Sequence, residues 1–430
     1  MKTLIVGSGG REHALGWALR QADPKAELLF APGNAGTTTL GRNVAVGVTD
    51  LDALVSLAES ERPDFTLVGP EGPLVAGLVD RFRARGLAVF GPSQRAAEIE
   101  GSKVFAKDLL RASGVATAAY EIFHDGAEAR RYLSRSLFPQ VIKVDGLAAG
   151  KGVYIARNLS EGEAALDEIV TERRHGTAGA RIVIESFLEG EEVSAFALCR
   201  GEEFRLLPFS RDYKRAFDND EGPNTGGMGA IAPHPLAMLN DEDRAGFAAR
   251  VESEVFAPVL HAMTAHHRAF HGLLYAGLMV VDGRPHVLEF NCRFGDPETE
   301  AVVTLLGDGF LPALHAIATG EGELPSIAPW RGGGFAATVI LASANYPGDS
   351  PVGLPMRGLD KAAGLPDTFV FHAGTRAEGS HVVTAGGRVL AVTGRGEDPR
   401  IALSRAYDGA SVIEFDGKRH RTDIGRTSTR

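Results

Sequence analysis

The stretch Lys143-Val144-Asp145-Gly146-Leu147-Ala148-Ala149-Gly150-Lys151-Gly152-Val153 decides how this chain is read. It carries the glycines and the lysine of a phosphate-binding loop, yet it fails the P-loop pattern G-x-x-x-x-G-K-[ST]. Only three residues separate Gly146 from Gly150, Lys151 is followed by Gly152 instead of Ser or Thr, and the flanking runs, 138–144 and 153–156, are both strand-like. A glycine loop between antiparallel strands, with a lysine at its tip, is a flap that can close over a triphosphate. Lys143 stands within Val141-Ile142-Lys143-Val144, and a charge inside an apolar strand requires a partner. A nucleotide phosphate would serve; a solvated edge strand with a snorkelling lysine is the bland alternative.

Upstream of the flap, short apolar runs at 3–6, 28–31, 65–68 and 88–90 are separated by amphipathic stretches such as 73–85. This alternation predicts a parallel α/β sheet. Each run ends in a glycine or proline loop: Gly7-Ser8-Gly9-Gly10, Pro32-Gly33-Asn34-Ala35-Gly36, Gly69-Pro70-Glu71-Gly72 and Gly91-Pro92. Ligands bind beyond the carboxyl ends of strands in such sheets, so the four loops are expected to line a crevice. The segment Gly7-Ser8-Gly9-Gly10-Arg11-Glu12-His13 offers amides and a helix N-terminus to a phosphate or phosphosugar, or else is only a tight turn. It is not a dinucleotide fingerprint, because Glu12 stands where the third glycine of G-x-G-x-x-G belongs.

Downstream, Gly101-Ser102-Lys103 opens a helix, and a helix over 160–173 with a strand over 181–188 completes a small α+β lobe around the flap. The carboxylates Glu189, Glu191 and Glu192 that follow read by themselves as a solvated turn. A strand begins at Glu192, and a long amphipathic helix is expected over 241–271. Runs at 274–281 and 286–294 form a hairpin about Asp282-Gly283, a dipeptide suited to a type I′ turn. In the second run Glu289, Asn291 and Arg293 share one face, and Leu288, Phe290, Cys292 and Phe294 the other. A carboxylate and an amide oxygen two residues apart can reach one Mg²⁺, which keeps water or phosphate in its remaining positions. Arg293 beside them can fork onto a carboxylate or phosphate. An amphipathic strand with its wet face outward is the alternative. Asp296-Pro297 predicts an N-cap and a first-turn proline, and Cys292 reads as core. Residues 222–230 are too rich in glycine for regular structure and form a loop that approaches something closely. Asp212-Tyr213-Lys214-Arg215 before it is either a ligand clamp or a surface turn.

The 430 residues predict two to four domains. We expect a multidomain α/β and α+β protein: an N-terminal parallel α/β domain over 1–101, a central region over 102–325 whose small lobe covers about 120–192, and a C-terminal mixed α/β domain over 326–430. The Gly- and Pro-rich segment 320–334 marks the second boundary, and strand signals follow at 335–341, 368–372 and 388–393. A formal net charge of −10 argues against a broad nucleic-acid or anionic-membrane footprint. Cys199 and Cys292 have no second pair for a metal knuckle or disulfide framework, which fits a reducing cytoplasm. The N-terminal apolar run is too short for a signal segment and reads as a buried first strand. No stretch approaches bilayer-spanning length.

Taken in order, these segments resemble the phosphoribosylamine-glycine ligase (glycinamide ribonucleotide synthetase) family of the ATP-grasp superfamily. The likeness spans nearly the whole chain. It rests on 7–13, 32–36, 68–74, 101–103, 145–153, 223–230 and 288–298, with His372-Ala373-Gly374-Thr375 and Asp423-Ile424-Gly425 in the last domain. The resemblance implies an ATP-grasp fold behind a pre-ATP-grasp N-terminal domain, and a reaction of ATP, glycine and 5-phosphoribosylamine that gives ADP, phosphate and glycinamide ribonucleotide through glycyl phosphate.

By that likeness Lys103, Lys143 and Lys151 face the ATP phosphates, Glu185, Phe187 and Leu188 face adenine, and Glu192 faces the ribose. Glu289 and Asn291 hold Mg²⁺ or Mn²⁺. Arg293 orients glycine or its acyl phosphate, and Lys143 and Lys151 join it as catalytic residues by supplying cations for phosphoryl transfer. Gly9, Gly10, Asn34, Glu71, Asp212, Lys214, Pro223, Asn224, Thr225 and Gly226 receive the substrates. The likeness also implies a cytoplasmic monomer. Two positions depart from the family pattern: Ser186 replaces a second glutamate and Val144 an alanine, the latter expected only to pack. Other readings are a ligase for different substrates, a nicotinamide-dependent oxidoreductase, which Glu12 opposes, and a non-catalytic ATP-binding protein, which the retained Lys143, Lys151, Glu289 and Asn291 oppose.

Overall fold

A computed structural model of the chain describes residues 1–147, 152–171, 181–234, 241–330 and 333–426. The apolar runs of the first hundred residues become β1 (Lys2–Gly7), β2 (Glu27–Pro32), β3 (Arg42–Asn43), β4 (Phe65–Val68) and β5 (Val89–Phe90). They form a sheet in the order β3-β2-β1-β4-β5, with every pairing parallel. Leu4, Ile5 and Val6 are all fully buried, as a strand covered on both faces requires. The accompanying helices are α1 (Gly10–Ala22), α2 (Leu51–Glu61), α3 (Glu71–Val75), α4 (Leu78–Ala84) and α5 (Gln94–Gly101). The stretch over 73–85 reads as one amphipathic unit but folds as two helices, because Gly77 turns the chain between α3 and α4 at φ +86°.

Ser102 ends α5 and caps α6 (Lys103–Ser113), its hydroxyl accepting from the Phe105 amide at 3.1 Å. The small lobe follows: β6 (Tyr120–Phe123), α7 (Gly126–Leu133), β7 (Gln140–Val144), β8 (Val153–Ala156), α8 (Leu159–Leu166) and β9 (Ile182–Ser186). Its sheet runs β6-β9-β7-β8, antiparallel throughout. The helix expected over 160–173 starts at Leu159, where the Asn158 side chain caps it, and loses α geometry after Leu166. The lobe's core holds only residues 129–184, including the fully buried Val144.

The chain continues through β10 (Glu191–Arg200), β11 (Glu203–Leu206), β12 (Arg211–Asp212), β13 (Arg215–Phe217), β14 (Glu221–Asn224) and β15 (Gly229–Ala232). Helices α9 (Asp241–Val251) and α10 (Ala257–Ala265) precede β16 (His271–Val281) and β17 (Arg284–Asn291). The long helix expected over 241–271 therefore stops at Ala265 and is interrupted by a π turn at Glu252–Phe256. A central antiparallel sheet is ordered β11-β10-β16-β17. Its β16–β17 hairpin turns at Asp282 (φ +49°) and Gly283 (φ +73°), as a type I′ turn demands.

After α11 (Glu298–Val302) and α12 (Phe310–Thr319) come β18 (Phe335–Ala342), α13 (Leu359–Ala363), β19 (Thr368–His372), β20 (Thr375–Glu378), β21 (His381–Thr384), β22 (Arg388–Gly396) and α14 (Pro399–Val412). The sheet β12-β15-β18-β22-β19 takes β12 and β15 from before residue 320 and its other strands from after it. One hydrophobic core likewise joins Leu15, Phe294, Leu314, Ile340 and Phe371. The N-terminal, central and C-terminal regions thus form a fused frame, while the small lobe packs around a core of its own and is the natural unit to move against it.

Candidate active site

A cleft of about 1500 Å³ lies between the small lobe and this frame. Its floor is β17. Opposite β17, Gly277 pairs with Glu289 but Leu278 pairs with Val287, so Leu288 is an extra residue in a β-bulge. The expected alternation is broken there: Val287, two residues before Glu289, is fully buried, whereas Leu288 lines the cleft beside Glu289 and Asn291. The bulge also presents the Leu288 carbonyl to Lys143, whose Nζ donates to it at 3.0 Å.

Lys143, on β7, is tied equally firmly to its own lobe. Its Nζ donates to Glu185 Oε2 at 3.1 Å and lies 3.0 Å from Oε1. The same carboxylate pairs with Lys107 of α6 at 3.0 Å, and burial pushes the Lys107 ammonium down to about 8. Lys103, one helical turn before Lys107, donates to the Gly146 carbonyl at 3.0 Å. The entry to the flap is held at the same helix end. Asp145 accepts from Ser102 Oγ at 3.0 Å and from the Val104 amide at 3.1 Å, and it pairs with Arg181. Lys151 lies outside the described residues.

Glu289 and Asn291 face the cleft across from Gly277 and Tyr275. A Cβ on Gly277 would come within 3.4 Å of Glu289 Cγ, so the glycine leaves that carboxylate its room. Burial pushes Glu289 up, but Lys214, Lys143, Lys103 and Arg293 outweigh it and hold the carboxyl below its ordinary range. Among the described residues no group of three or more His, Cys, Asp or Glu side chains could hold a metal by itself. One carboxylate and one amide oxygen can hold a hard cation that takes its other ligands from phosphate and water, and the surrounding lysines suit that phosphate.

The sequence-chosen substrate residues divide. Glu71, Asp212, Lys214, Asn224, Thr225, Gly226 and Arg293 line the cleft, as do Glu185, Phe187, Leu188 and Glu192. Lys214 reaches Glu192 at 3.2 Å. Arg293 is engaged within the protein, 3.2 Å from Glu71 and 3.5 Å from Glu100. Asp212 keeps a buried Oδ1 without a hydrogen-bond partner among the described residues, and burial together with Glu298 raises its carboxyl well above the usual range. Gly9, Gly10, Asn34 and Pro223 are not among the cleft-lining residues. Asn34 is occupied in organising its loop: it donates to the Ser8 and His372 carbonyls and accepts from the Gly36 and Thr37 amides. The Gly9 amide donates to Glu12 Oε2 at 2.6 Å. The N-cap expected at Asp296 is not formed. Pro297 holds that position, and the Asp296 carboxylate pairs instead with Arg388 at 3.1 Å.

Lys107 and Arg388 are among the cleft residues that escaped the sequence reading. Lys107 had a signal, since it lies four residues after Lys103 on a helix whose Val104 and Leu110 are buried. Arg388 had none, because nothing local says that the start of β22 meets a loop more than 150 residues earlier.

Family models agree with this architecture along the chain. Residues 1–100 match the phosphoribosylglycinamide synthetase N domain, 101–299 its ATP-grasp (A) domain and 336–427 its C domain. The chain belongs to the phosphoribosylglycinamide synthetase family. The phosphoribosylamine-glycine ligase of Chlorobaculum tepidum is 44% identical over 429 residues, covering 99% of each chain. That of Pseudomonas aeruginosa is 45% identical over 428 residues, 99% of this chain and 97% of the relative. The crystal structure of the Thermotoga maritima phosphoribosylamine-glycine ligase superposes with a TM-score of 0.84 at 38% identity, over 99% of this chain and 100% of that one. The fold extends further: the biotin carboxylase domain of Hydrogenobacter thermophilus 2-oxoglutarate carboxylase, solved with MgADP, ADP and bicarbonate, gives a TM-score of 0.73 at 18% identity. It covers 97% of this chain and 91% of that chain. The family is thus one of ATP-grasp ligases, and the parallel N-terminal sheet read from the sequence belongs to its N domain.

Proposed function

We propose that this chain ligates glycine to 5-phosphoribosylamine, converting ATP to ADP and phosphate by way of glycyl phosphate. The observation that carries this reading is the convergence of Lys103, Lys143, Glu289 and Asn291 on one cleft, which Gly146 and Gly152 also line. A glycine carboxylate oxygen attacks the γ-phosphorus and ADP leaves. The amine of phosphoribosylamine then attacks the acyl carbon, and phosphate leaves with the bonding pair and takes up the proton that the nitrogen loses. Neither step asks the protein for a covalent bond, only for positioned cations and exclusion of water.

In this reading Lys103, Lys143 and Lys151 bind the nucleotide's phosphates, and Phe187 and Leu188 meet adenine at the lobe junction. Glu192 meets the ribose. Glu289 and Asn291 would hold Mg²⁺ or Mn²⁺, which when bound offsets charge on the transferring phosphoryl group. Arg293, paired with Glu71 and Glu100, marks the glycine end, and Asp212, Lys214 and residues 223–226 border the phosphoribosyl end. Gly9, Gly10 and Asn34 contribute by shaping the adjoining loops. We assign the reaction to a monomer in the cytoplasm; no helix among the described residues is long and apolar enough to cross a membrane.

The test is ADP release with Mg²⁺ present while glycine and phosphoribosylamine are omitted in turn. Release is expected to collapse without either substrate. Turnover indifferent to glycine would reject the assignment.

A further inference from the structure

The pairing of two lysines on one carboxylate is more than the nucleotide site requires at first sight. Side chains of Lys107, Lys143 and Glu185 are only 4%, 7% and 2% exposed. One buried carboxylate between two ammonium groups leaves these three side chains net positive, with Glu289 the further carboxylate that both lysines feel. A desolvated surplus of this kind is costly unless an anion completes it.

The two lysines are not equivalent. An ammonium has three donors. Lys107 Nζ pairs with Glu185 at 3.0 Å, donates to Thr117 Oγ1 at 2.6 Å and lies 5.5 Å from the centroid of the Tyr120 ring. Thr117 in turn donates to the Val287 carbonyl at 2.6 Å. The directions around Lys107 are thereby taken. Lys143 meets only the two Glu185 oxygens and the Leu288 carbonyl among the described residues, and it lines the cleft. Lys107 and Lys143 thus anchor to consecutive residues of the β17 bulge, one through Thr117 and one directly, with Glu185 between them.

We propose that Lys107 is a positioning residue: by sharing the Glu185 carboxylate it keeps Lys143 from collapsing into a neutral pair and leaves the Lys143 ammonium able to meet a phosphate oxygen. The proposal rests on the reading of Lys143 as a nucleotide contact given above. Without Lys107, Glu185 would be balanced by Lys143 alone. The positive charge that the Lys107–Glu185–Lys143 cluster adds to that of Lys103 would then be lost to the nucleotide's tail.

The experiment is a double-mutant cycle read in KM for ATP. Lys107→Met is expected to raise KM for ATP by about tenfold, with kcat and the glycine KM within about twofold. In a Glu185→Gln background the same change should add less than about twofold, since the carboxylate it saturates is gone. An equal rise in both backgrounds, or no rise in either, overturns the proposal. Lys143→Met is measured alongside. An unchanged ATP KM there rejects the phosphate role of Lys143 itself, whereas a raised one with an additive Lys107 effect rejects only the positioning role. Should Lys107→Met not fold, MgADP affinity of Lys107→Arg measured by calorimetry decides. Affinity within about threefold of the parent supports the proposal, and a larger loss overturns it, because the charge is retained.

Discussion

Arg388 lies 3.1 Å from the Asp296 carboxylate, and the same guanidinium donates to the carbonyl oxygens of Asp296 and Gly226 at 2.8 and 2.6 Å. One side chain at the start of β22 thereby pins both the approach to α11 and the glycine loop at the cleft. It also explains the glycine at 226, where a Cβ would sit 3.0 Å from Arg388 Cζ. Arg388→Met should leave Asp296 unpaired and cost about 3 kcal/mol of stability, the scale of a broken buried pair. It should also lower kcat/KM for phosphoribosylamine by about 10- to 100-fold through a misplaced loop. Urea unfolding and steady-state kinetics with phosphoribosylamine varied check both, and a variant normal in each would show the contact to be incidental.

Glu289 offers a cleaner separation of chemistry from folding. Its carboxyl is kept ionised by four surrounding cations despite burial. Glu289→Ala should abolish ligation, a loss of at least about 100-fold in kcat, while circular dichroism and the melting transition change little. Near-normal rates would remove the metal role assigned to this strand.

Much of this was legible in the sequence, for a physical reason. Runs such as 65–68 and 335–341 are continuous and apolar because their strands are covered on both faces, and the observed strands coincide with them or extend them by one residue. The face shared by Glu289 and Asn291 followed from the two-residue strand period. What stayed hidden depends on distant partners. The bulge at Leu288 exists because β16 and β17 differ in register by one residue, and no local pattern encodes it. Asp296 reads as an N-cap from its neighbours and is claimed by Arg388 instead. Lys143 reads as a lysine in need of an anion, and sequence alone cannot tell that Glu185 supplies one while Lys107 shares it.

Glu12 fills the space that three glycines leave. Its Oε1 lies 2.0 Å from where a Cβ on Gly69 would stand, and its Cγ and Cδ lie 2.5 Å from a Cβ on Gly7. The carboxylate cannot easily move aside, since Arg11 Nε and the Gly9 amide both bond it at 2.6 Å and the residue is 1% exposed. Gly69→Ala is therefore expected to cost about 2–3 kcal/mol by overpacking. Combined with Glu12→Ala it should cost less than the sum of the two single changes. Chemical denaturation of the four proteins in the cycle measures this, and strict additivity would separate Gly69 from Glu12.

The N-terminal and C-terminal regions meet through a pair of histidines, and this contact should make stability sensitive to acid. His13 Nδ1 accepts from the His372 amide at 2.8 Å, with the rings 5.6 Å apart. Burial, then the neighbouring His372, lowers His13 to about 3, and burial lowers His372 to about 4. Both folded values lie below that of an unfolded histidine, so the unfolded chain takes up protons first. The stability held in the neutral rings is complete above about pH 6.5 and is lost as pH falls from there toward the folded values. Each ring contributes up to about 1.4 kcal/mol per pH unit within that window. Between pH 6.5 and 5, His13→Gln should therefore lose about 2 kcal/mol less than the parent. Unfolding free energies of the two proteins at both pH values decide it, and parallel pH profiles would show that His13 titrates as if exposed.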